Sequence, residues 1–467
     1  MKPVVRFAPS PTGALHIGSV RTALFNYLFA RKNGGTFLLR IEDTDLKRSE
    51  DVYTQQIYDS LSWLDLKYDE QVVKQSSRTS RYKTVINQLL ESGLAYRCFS
   101  SEEELSKMRE DEGLFLYPRT WRDRSKEDID KRLENKDPFT IRLKIPLDGV
   151  LEFVDLIYGK IKTNYSELDD FIIARSDGSP TYNFTVVVDD HDMQISHVIR
   201  GEDHIANTPK QLLIYSALKW STPEFAHLPM ILGHDGKRLS KRHGAKGVPA
   251  YRESGYLPYT LINYLSLLGW NPGNHDEVFD LEYLIKNFSL EKVNKKAAIF
   301  DNKKLDWISG QHIKTQESKE LLGLINSIDP AWGQGKGFDE SYLTRVITEL
   351  KPRAKTIRDL IDQSQYFFSD PLEYNASALE KCWDESSSGI LKSFYDKKLI
   401  DLDWSEPLID DSVNTFVNDE NINKGKIIQL LRVSFTGSLT GPSITELMII
   451  LGRDVCLRRI NNILDKV

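Results

Sequence analysis

Short apolar runs and amphipathic helical patterns alternate over the first part of the chain. Residues 4–8 form an apolar run typical of a buried strand, and apolar side chains then recur at helical spacing over residues 20–28. The Gly34-Gly35 pair ends that helical pattern, and residues 36–41 predict a second strand. A strand, a helix and a strand in this order predict two parallel strands.

The middle of the chain has a different character. Two further helical patterns, at residues 49–64 and 82–94, precede a strongly charged stretch over residues 96–168, which predicts an α+β insertion within the sheet domain. The elements predicted inside the insertion are helices at residues 102–112 and 126–134 and strands at residues 139–145 and 150–157.

Strand patterns resume after the insertion, and a long helical region follows. The predicted elements are strands at residues 171–175, 181–190 and 196–200 and a helix over residues 208–219. Residues 246–310 are mostly helical in pattern, and from residue 311 the pattern is helical throughout, with a capping box at Ser443 and Glu446. The chain therefore predicts a sheet domain of the α/β class followed by a helical half.

The composition is that of an ordinary globular protein. Of 467 residues, 40% are hydrophobic and 28% are charged, and no apolar run reaches the ~18 residues of a membrane span. The first residues lead directly into a strand, so we expect no signal peptide and a cytoplasmic location. Cys98, Cys382 and Cys456 are too scattered for a disulfide framework, and we expect them to pack as small apolar side chains.

The net charge alone argues weakly against a nucleic-acid partner. It is −6, whereas phosphate binding requires lysine and arginine. Local clusters matter more than the total, and the C-terminal half contains them. These basic residues are Lys351, Arg353, Lys355, Arg358, Lys424, Lys426, Arg432, Arg453, Arg458 and Arg459.

The loop between the first strand and the first helix carries the clearest chemical signal. Residues 9–19 have the sequence PSPTGALHIGS. The free backbone N–H groups at the start of a helix favour an anion, and Gly13, Gly18 and Ser19 let a nucleotide approach the backbone closely. The loop lacks both common glycine-rich nucleotide fingerprints. The alternative is a Pro/Gly turn in which His16 merely caps the helix.

A second candidate segment lies at residues 234–244, HDGKRLSKRHG. Glycines bound a loop that carries four cations in six positions, which suits a mobile clamp for a polyphosphate. A generic basic patch would also fit this composition.

Together these two segments resemble the signatures of class I aminoacyl-tRNA synthetases. Residues 9–19 resemble the HIGH element in the form found in the glutamyl and glutaminyl branch, with Ser19 in place of the last histidine. Residues 238–242, RLSKR, resemble the KMSKS loop, with Arg238 in place of its first lysine. The resemblance implies a Rossmann-like parallel-sheet catalytic domain with an α+β insertion, followed by a mostly α-helical C-terminal half.

The resemblance also implies roles for individual residues. It assigns the chemical step to His16, Gly18, Ser240 and Lys241. It assigns ATP binding to Thr12, Gly13, His16, Ser19, Asp203, His204 and Lys241, with Mg²⁺ accompanying ATP. It assigns glutamate binding to Arg6, Ala8, Ser10, Glu42, Tyr182 and Arg200. Independently of the resemblance, the carboxyl ends of the two parallel strands would bring Arg6, Ala8 and Glu42 to one crevice, where a cation and an anion suit an amino acid.

Zinc is not expected. Some bacterial glutamyl enzymes hold zinc in the insertion through a C-x-C pair and a later Cys-x-His. Here residues 98–100 are CFS and residues 121–123 are WRD, so that ligand set is missing.

The helical C-terminal half resembles the anticodon-binding part of bacterial glutamyl enzymes, whereas the glutaminyl branch has β-barrels there. We therefore expect a glutamate–tRNA ligase that acts on tRNA-Glu as a monomer, and the sequence leaves open whether it also charges tRNA-Gln. The expected domains are a catalytic domain at 1–95 and 169–245, an acceptor-end-binding insertion at 96–168, a stem-contact linker at 246–310 and an anticodon-binding region at 311–467.

Three other functions share part of this evidence. A smaller adenylyltransferase with an HxGH element would not need the long helical half, and neither would a truncated paralogue that modifies a tRNA base. A noncatalytic tRNA-binding protein would not need both loops intact.

Overall fold

A computed structural model describes residues 2–45, 49–112, 116–239, 246–334 and 337–466. The chain divides into two compact units. The catalytic unit consists of Met1–Ala250 and Leu261–Asn302, and the helical unit consists of Tyr251–Thr260 and Lys303–Val467.

The strands are β1 (Val4–Phe7), β2 (Thr36–Ile41), β3 (Val73–Lys74), β4 (Ala95–Cys98), β5 (Thr140–Leu143), β6 (Val150–Asp155), β7 (Gly159–Asn164), β8 (Ile172–Ala174), β9 (His197–Gly201), β10 (Glu224–Leu228), β11 (Ile231–Leu232) and β12 (Ala298–Ile299). The helices of the catalytic unit are α1 (Ile17–Lys32), α2 (Asp51–Trp63), α3 (Thr79–Glu91), α4 (Glu102–Glu112), α5 (Lys126–Glu134), α6 (Tyr182–Asp192), α7 (Thr208–Leu218) and α10 (Leu281–Asn287). Two further helices, α8 (Val248–Glu253) and α9 (Pro258–Leu267), each have residues in both units.

The remaining helices are α11 (Asn302–Thr315), α12 (Ser318–Ile328), α13 (Glu340–Leu350), α14 (Ile357–Gln363), α15 (Gln365–Phe368), α16 (Ala376–Cys382), α17 (Ser387–Phe394), α18 (Glu406–Asp419), α19 (Lys424–Thr436), α20 (Ile444–Leu451) and α21 (Arg453–Leu464). No described helix combines the length and the apolar character needed to cross a membrane.

The two parallel strands that the sequence predicted are present. β1 pairs with β2 in parallel, with Val4 opposite Thr36, and β2 pairs in parallel with β3. The backbone N–H of Ser196, just before β9, donates to the carbonyl of Val4 at 2.9 Å, so β9 begins beside β1. β9 continues in parallel to β10, and β10 to β6. The carboxyl ends of β1, β2 and β9 therefore face one edge.

The strand predicted at residues 171–175 exists as β8, but the prediction that it resumes the parallel sheet was wrong. β8 pairs antiparallel with β5, which also pairs antiparallel with β4. Asp170, immediately before this segment, accepts hydrogen bonds from Arg122 and from the backbone N–H of Ile145 at 3.1 Å. These contacts bind the segment to the insertion, away from the parallel strands.

The prediction of a strand at residues 181–190 was also wrong, because this segment forms helix α6. Its β-branched residues favour a strand by intrinsic propensity. In the folded chain Val187 and Val188 are fully buried and pack with Leu213 of α7 in one apolar cluster. Burial on several sides of the helix replaces the one-face pattern that an exposed helix would show, so tertiary packing overrides propensity here.

The helical unit agrees with the sequence pattern, and no strand occurs among its described residues. The Ser443 hydroxyl accepts a hydrogen bond from the Glu446 N–H at 3.2 Å and caps α20, as predicted. All three cysteines are buried, which confirms that they pack as apolar side chains.

The approach of Gly35 to the start of β1 generates a stability prediction. A Cβ at Gly35 would lie 2.2 Å from the Pro3 carbonyl oxygen, and that oxygen accepts the Thr36 N–H at 2.8 Å. Gly35→Ala should therefore lower the free energy of unfolding by about 1–3 kcal/mol. In α17, Gly389→Ala has no neighbour within 4 Å of its new Cβ and should raise stability slightly. Thermal unfolding midpoints test the pair, and equal midpoints would contradict it.

Candidate active site

The loop after β1 ends in a histidine that has two roles. His16 is the N-cap of α1, and its Nδ1 accepts from the N–H groups of Gly18 at 3.2 Å and Ser19 at 3.4 Å. Its Nε2 lies 3.2 Å from the Ser19 hydroxyl oxygen. His16 also lines a cavity, so the capping role does not exclude a functional one. Desolvation in the cleft, with the nearby positive charge of Arg238, lowers the pKa of His16 and favours the neutral ring that caps the helix.

A cavity of about 590 Å³ lies over the carboxyl ends of the strands. This size falls within the range of small-molecule sites. It gathers most of the predicted site residues, namely Arg6, Ala8, Ser10, Gly13, His16, Gly18, Ser19, Glu42, Tyr182, Arg200, Asp203 and His204. Thr12 is not among the described residues that line it and lies in the turn where its N–H donates to the Ser10 carbonyl at 2.9 Å.

Leu239, within the second basic segment, and Gly247, just after it, line the same cavity. Leu239 donates its backbone N–H to the Ile231 carbonyl at 3.0 Å, and Gly247 forms a backbone bridge with His16. The Arg238 guanidinium lies 3.1 Å from the Asp203 carboxylate. The predicted residues Ser240 and Lys241 fall outside the described residues, and their roles stay predictions.

Two arginines, Arg6 and Arg40, share a single buried carboxylate. Asp190 accepts from Arg6 Nε at 3.0 Å and from Arg40 Nη1 at 2.6 Å. Burial opposes ionisation of Asp190, but the two guanidinium groups outweigh it and lower the pKa of Asp190. Arg6 lines the cavity, whereas Arg40 is fully buried behind it.

Glu42 lines the cavity at the end of β2 and is ion-paired from behind. Its Oε1 accepts from Arg40 Nη2 at 3.1 Å. Burial raises the pKa of Glu42, and the positive charges of Arg40 and Arg6 act in the opposite direction. Glu42 thus faces the cavity while Arg40, which a ligand does not reach, holds it from behind.

The neighbouring aspartate on α6 extends this network. Asp189 accepts hydrogen bonds from Gln75 at 2.7 Å, from Arg78 at 2.6 Å and from the Tyr82 hydroxyl at 2.9 Å. Sequence reasoning missed Arg40, Asp189 and Asp190, because a strand over residues 181–190 would place adjacent aspartates on opposite faces.

Arg21 is another cavity residue that sequence reasoning missed. Its Nη1 donates to the Leu268 carbonyl at 3.1 Å and its Nη2 donates to the Pro229 carbonyl. Burial lowers the pKa of Arg21 to about 10, although Glu202 acts in the opposite direction. Helical spacing was the available signal, because Arg21 follows Gly18 by three residues and so shares its face of α1.

Arg200 differs from these arginines in its surroundings. It is 5% exposed, lines the cavity and has no carboxylate within 4 Å among the described residues. Its Nε faces the ring of His227 and its Nη2 faces the Thr208 hydroxyl, whereas the buried Nη1 has no hydrogen-bond partner in the described part of the chain. Burial lowers the pKa of Arg200. An unpaired buried guanidinium at a cavity wall is suited to binding an anion.

Tyr182 and His204 complete the wall beside Arg200. The Tyr182 hydroxyl lies 3.0 Å from His204 Nδ1. Burial raises the pKa of Tyr182 to about 12. Burial, with the positive charge of Arg200, lowers the pKa of His204 to about 4. Both side chains are therefore neutral at pH 7. Among the described residues, no three His, Cys, Asp or Glu side chains are grouped so that they could hold a metal ion.

A nucleotide-type loop, a basic segment at the same cavity and a pocket that contains both buried cations and a buried anion are features of a class I aminoacyl-tRNA synthetase. Residues 2–307 match the model for class I tRNA synthetases (E and Q), catalytic domain, and residues 316–464 match an anticodon-binding domain. The chain belongs to this class I tRNA synthetase family.

Similar proteins cover the whole chain. The chain is 42% identical to glutamate–tRNA ligase 2 of Caldicellulosiruptor saccharolyticus, over 99% of this chain and 98% of that protein. It is 43% identical to glutamate–tRNA ligase of Thermodesulfovibrio yellowstonii, over 99% of each. A crystal structure of a glutamate tRNA ligase from Elizabethkingia meningosepticum in complex with its amino acid has a TM-score of 0.90 and 34% identity, and covers 100% of this chain and 99% of that one.

The two roles of His16 can be separated by substitution. Asparagine can supply the N-cap acceptor that His16 Nδ1 supplies, whereas alanine cannot. His16→Ala should lower the free energy of unfolding by about 1 kcal/mol, and His16→Asn should keep it close to wild type. Both should lower ATP–pyrophosphate exchange by about 100-fold, because both lose the ring that faces the cavity. Normal exchange in the stable His16→Asn protein would leave His16 with the capping role alone.

The depressed pKa of His204 predicts a pH dependence of stability. Between about pH 6.5 and pH 4 the unfolded chain protonates this histidine and the folded chain does not. The unfolded state then binds more protons, so stability falls as the pH falls through this window. His204→Asn should make the decline shallower by at most about 1 kcal/mol per pH unit. Thermal unfolding midpoints of the two proteins, measured from pH 7 to pH 4, should diverge, and parallel curves would contradict the prediction.

Proposed function

We propose that the cavity activates L-glutamate with ATP and that the chain then transfers the glutamyl group to the 3′ end of tRNA-Glu. The chain thus acts as a glutamate–tRNA ligase. The observation that carries the residue assignments is that one cavity joins the His16 loop to the pocket formed by Arg200, Glu42 and Tyr182. A nucleotide at the loop and an amino acid in the pocket would lie side by side.

The reaction has two steps. The α-carboxylate of glutamate attacks the α-phosphorus of ATP, which forms glutamyl-adenylate and releases pyrophosphate. A hydroxyl of the terminal adenosine of tRNA then attacks the activated carbonyl carbon, and AMP leaves. Neither step requires a nucleophile from the protein, so catalysis depends on positioning and on electrostatic stabilisation of the phosphoryl oxygens.

The assigned groups for the first step are the start of α1 and the second basic segment. The start of α1 lies at the cavity, where the positive end of the helix dipole favours an anion. Lys241 lies in the sequence between Leu239 and Gly247, which line the cavity, and supplies a cation to the phosphates. Ser240 is assigned to the same step. Gly13, Ser19, Asp203 and His204 border the nucleotide, and Thr12 lies in the same loop. Mg²⁺ accompanies ATP as part of the substrate and neutralises phosphate charge.

The assigned groups for glutamate bind its two ends. Arg200 takes the side-chain carboxylate, because Arg6 already shares the charge of Asp190. Glu42 takes the ammonium group, while Ala8, Ser10 and Tyr182 border the pocket. Glutamine would be rejected because its amide cannot neutralise Arg200 in a buried site, a cost of several kcal/mol, roughly 10³-fold.

The rest of the chain handles tRNA. We assign the acceptor end to the insertion at 96–168, the stem to the linker at 246–310 and the anticodon to the helical region from 311 onward, a monomeric arrangement in the cytoplasm. The match to an anticodon-binding domain supports the last of these and argues against a small adenylyltransferase.

Aminoacylation of purified tRNA-Glu and tRNA-Gln, side by side, tests this function. We expect glutamate on tRNA-Glu, and the same assay decides whether tRNA-Gln is a second substrate. Glutamylation of neither tRNA, with no ATP–pyrophosphate exchange when tRNA is present, would contradict the proposal and favour a noncatalytic tRNA-binding protein.

Replacement of Arg200 tests the pocket directly. Arg200→Ala should lower kcat/KM for glutamate in ATP–pyrophosphate exchange by about 100-fold or more, because a buried charge-assisted pair is lost. The KM for ATP should stay unchanged, since the nucleotide lies at the His16 loop. Arg175→Ala removes an arginine that donates to Ser179 and to the Pro180 carbonyl and does not line the cavity, and it serves as a control. An unchanged dependence on glutamate would remove Arg200 from the pocket.

A further inference from the structure

Three adjacent strands place an aspartate, a histidine and Arg200 in a row. β10 lies between β6 and β9, and His227 of β10 is directly opposite Arg200 of β9. On the other side of β10, Phe225 is opposite Asp155, the last residue of β6. Asp155 is 1% exposed and His227 is fully buried. The register of the strands thus links Asp155, at the end of β6, through β10 to Arg200 at the wall of the cavity.

The hydrogen bonds of His227 define which ring nitrogen carries the proton. Asp155 Oδ2 lies 2.6 Å from His227 Nδ1, and a carboxylate can only accept, so Nδ1–H donates. The other nitrogen, Nε2, is then an acceptor, and Arg200 Nε–H donates to it at 3.1 Å. Asp155 is itself held, because its Oδ1 accepts the N–H groups of Ile157 at 2.9 Å and Tyr158 at 2.8 Å.

The remaining contacts of Arg200 are also with uncharged acceptors. Its Nη2 donates to the Thr208 hydroxyl at 2.8 Å and approaches the His204 carbonyl at 3.4 Å. Nη1 is buried and has no hydrogen-bond partner among the described residues. The guanidinium plane is therefore fixed at two of its three nitrogens, while the residue as a whole lines the cavity.

We propose that His227, held in one tautomer by Asp155, is a positioning residue that orients Arg200 toward the side-chain carboxylate of glutamate without neutralising it. The proposal rests on the proposed function, in which Arg200 takes that carboxylate.

The comparison with Arg6 explains why a histidine is needed between the two charges. Arg6 is oriented by direct contact with Asp190, and that carboxylate offsets its charge. A direct contact between Asp155 and Arg200 would have the same effect and weaken anion binding. The neutral imidazole of His227 transmits the orientation through hydrogen bonds while it separates the carboxylate from the guanidinium.

The electrostatic environment keeps His227 neutral. Burial lowers the pKa of His227, and Arg200 acts in the same direction, although the contact with Asp155 opposes them. A proton on Nε2 would place two N–H donors against each other at Arg200, which the buried environment disfavours.

Two substitutions of His227 separate orientation from mere filling of space. The asparagine amide can replace Nδ1 and keep the contact with Asp155, but it leaves no acceptor at the position of Nε2. The glutamine side chain is longer and can place its carbonyl oxygen near Arg200 Nε. We expect His227→Asn to raise the KM for glutamate by about tenfold or more and His227→Gln to raise it several-fold less. The KM for ATP should be unchanged in both.

The same experiment includes its controls. His197→Asn changes a histidine on β9 that contacts Ser196, Glu224 and Phe29, and it should leave both KM values unchanged. Thermal unfolding of each variant reports loss of structure. A second readout is the preference for glutamate over glutamine in ATP–pyrophosphate exchange, which should fall about tenfold in His227→Asn.

The outcomes distinguish failure of this inference from failure of the proposed function. If the wild-type protein does not activate glutamate, the proposed function fails and the inference fails with it. If the wild type is active and His227→Asn keeps the wild-type KM for glutamate, the positioning role is wrong. It is also wrong if His227→Asn and His227→Gln each raise the KM for glutamate and the KM for ATP to the same extent. A glutamate-specific loss that His227→Gln largely restores supports it.

Discussion

Two adjacent buried aspartates on α6, Asp189 and Asp190, hold the parts of the cleft together. Asp190 binds Arg6 from β1 and Arg40 from β2, and Asp189 binds Arg78 and Tyr82 from the segment after β3. Removal of one partner from a buried ion pair costs about 3–5 kcal/mol, because the other charge is left uncompensated. These pairs therefore require α6 to lie against both strands, which fixes the cavity wall.

This network also determines how charge is distributed in the pocket. Arg6 and Arg40 share Asp190, and Arg40 supports Glu42 from behind, so these charges largely compensate one another. Arg200 is oriented by a histidine, a hydroxyl and a carbonyl instead, and its Nη1 has no partner among the residues that the structure describes. The pocket thus offers an uncompensated cation at one side and a carboxylate at the other, which matches the side-chain carboxylate and the ammonium group of glutamate.

The sequence was sufficient for the features that depend on local pattern. The first strand, the His16 loop, helix α1 and the helical unit follow from apolar spacing and turn chemistry, and most of the predicted site residues line the cavity. The sequence was insufficient where tertiary contacts decide. The run from Thr185 to Val188 favours a strand but is buried in a helix, and the contacts of Asp155 with His227 depend on the order of three strands. The role of Lys241 stays a prediction from its motif.

A crystal structure with a non-hydrolysable analogue of glutamyl-adenylate tests the central claim most directly. We expect a side-chain carboxylate oxygen of the analogue to lie within hydrogen-bond distance of the Arg200 guanidinium, with His227 still accepting from Arg200 Nε and the phosphoryl group beside His16. A side-chain carboxylate bound by another cation, or an Arg200 that has turned to pair with a carboxylate of the protein, would contradict it.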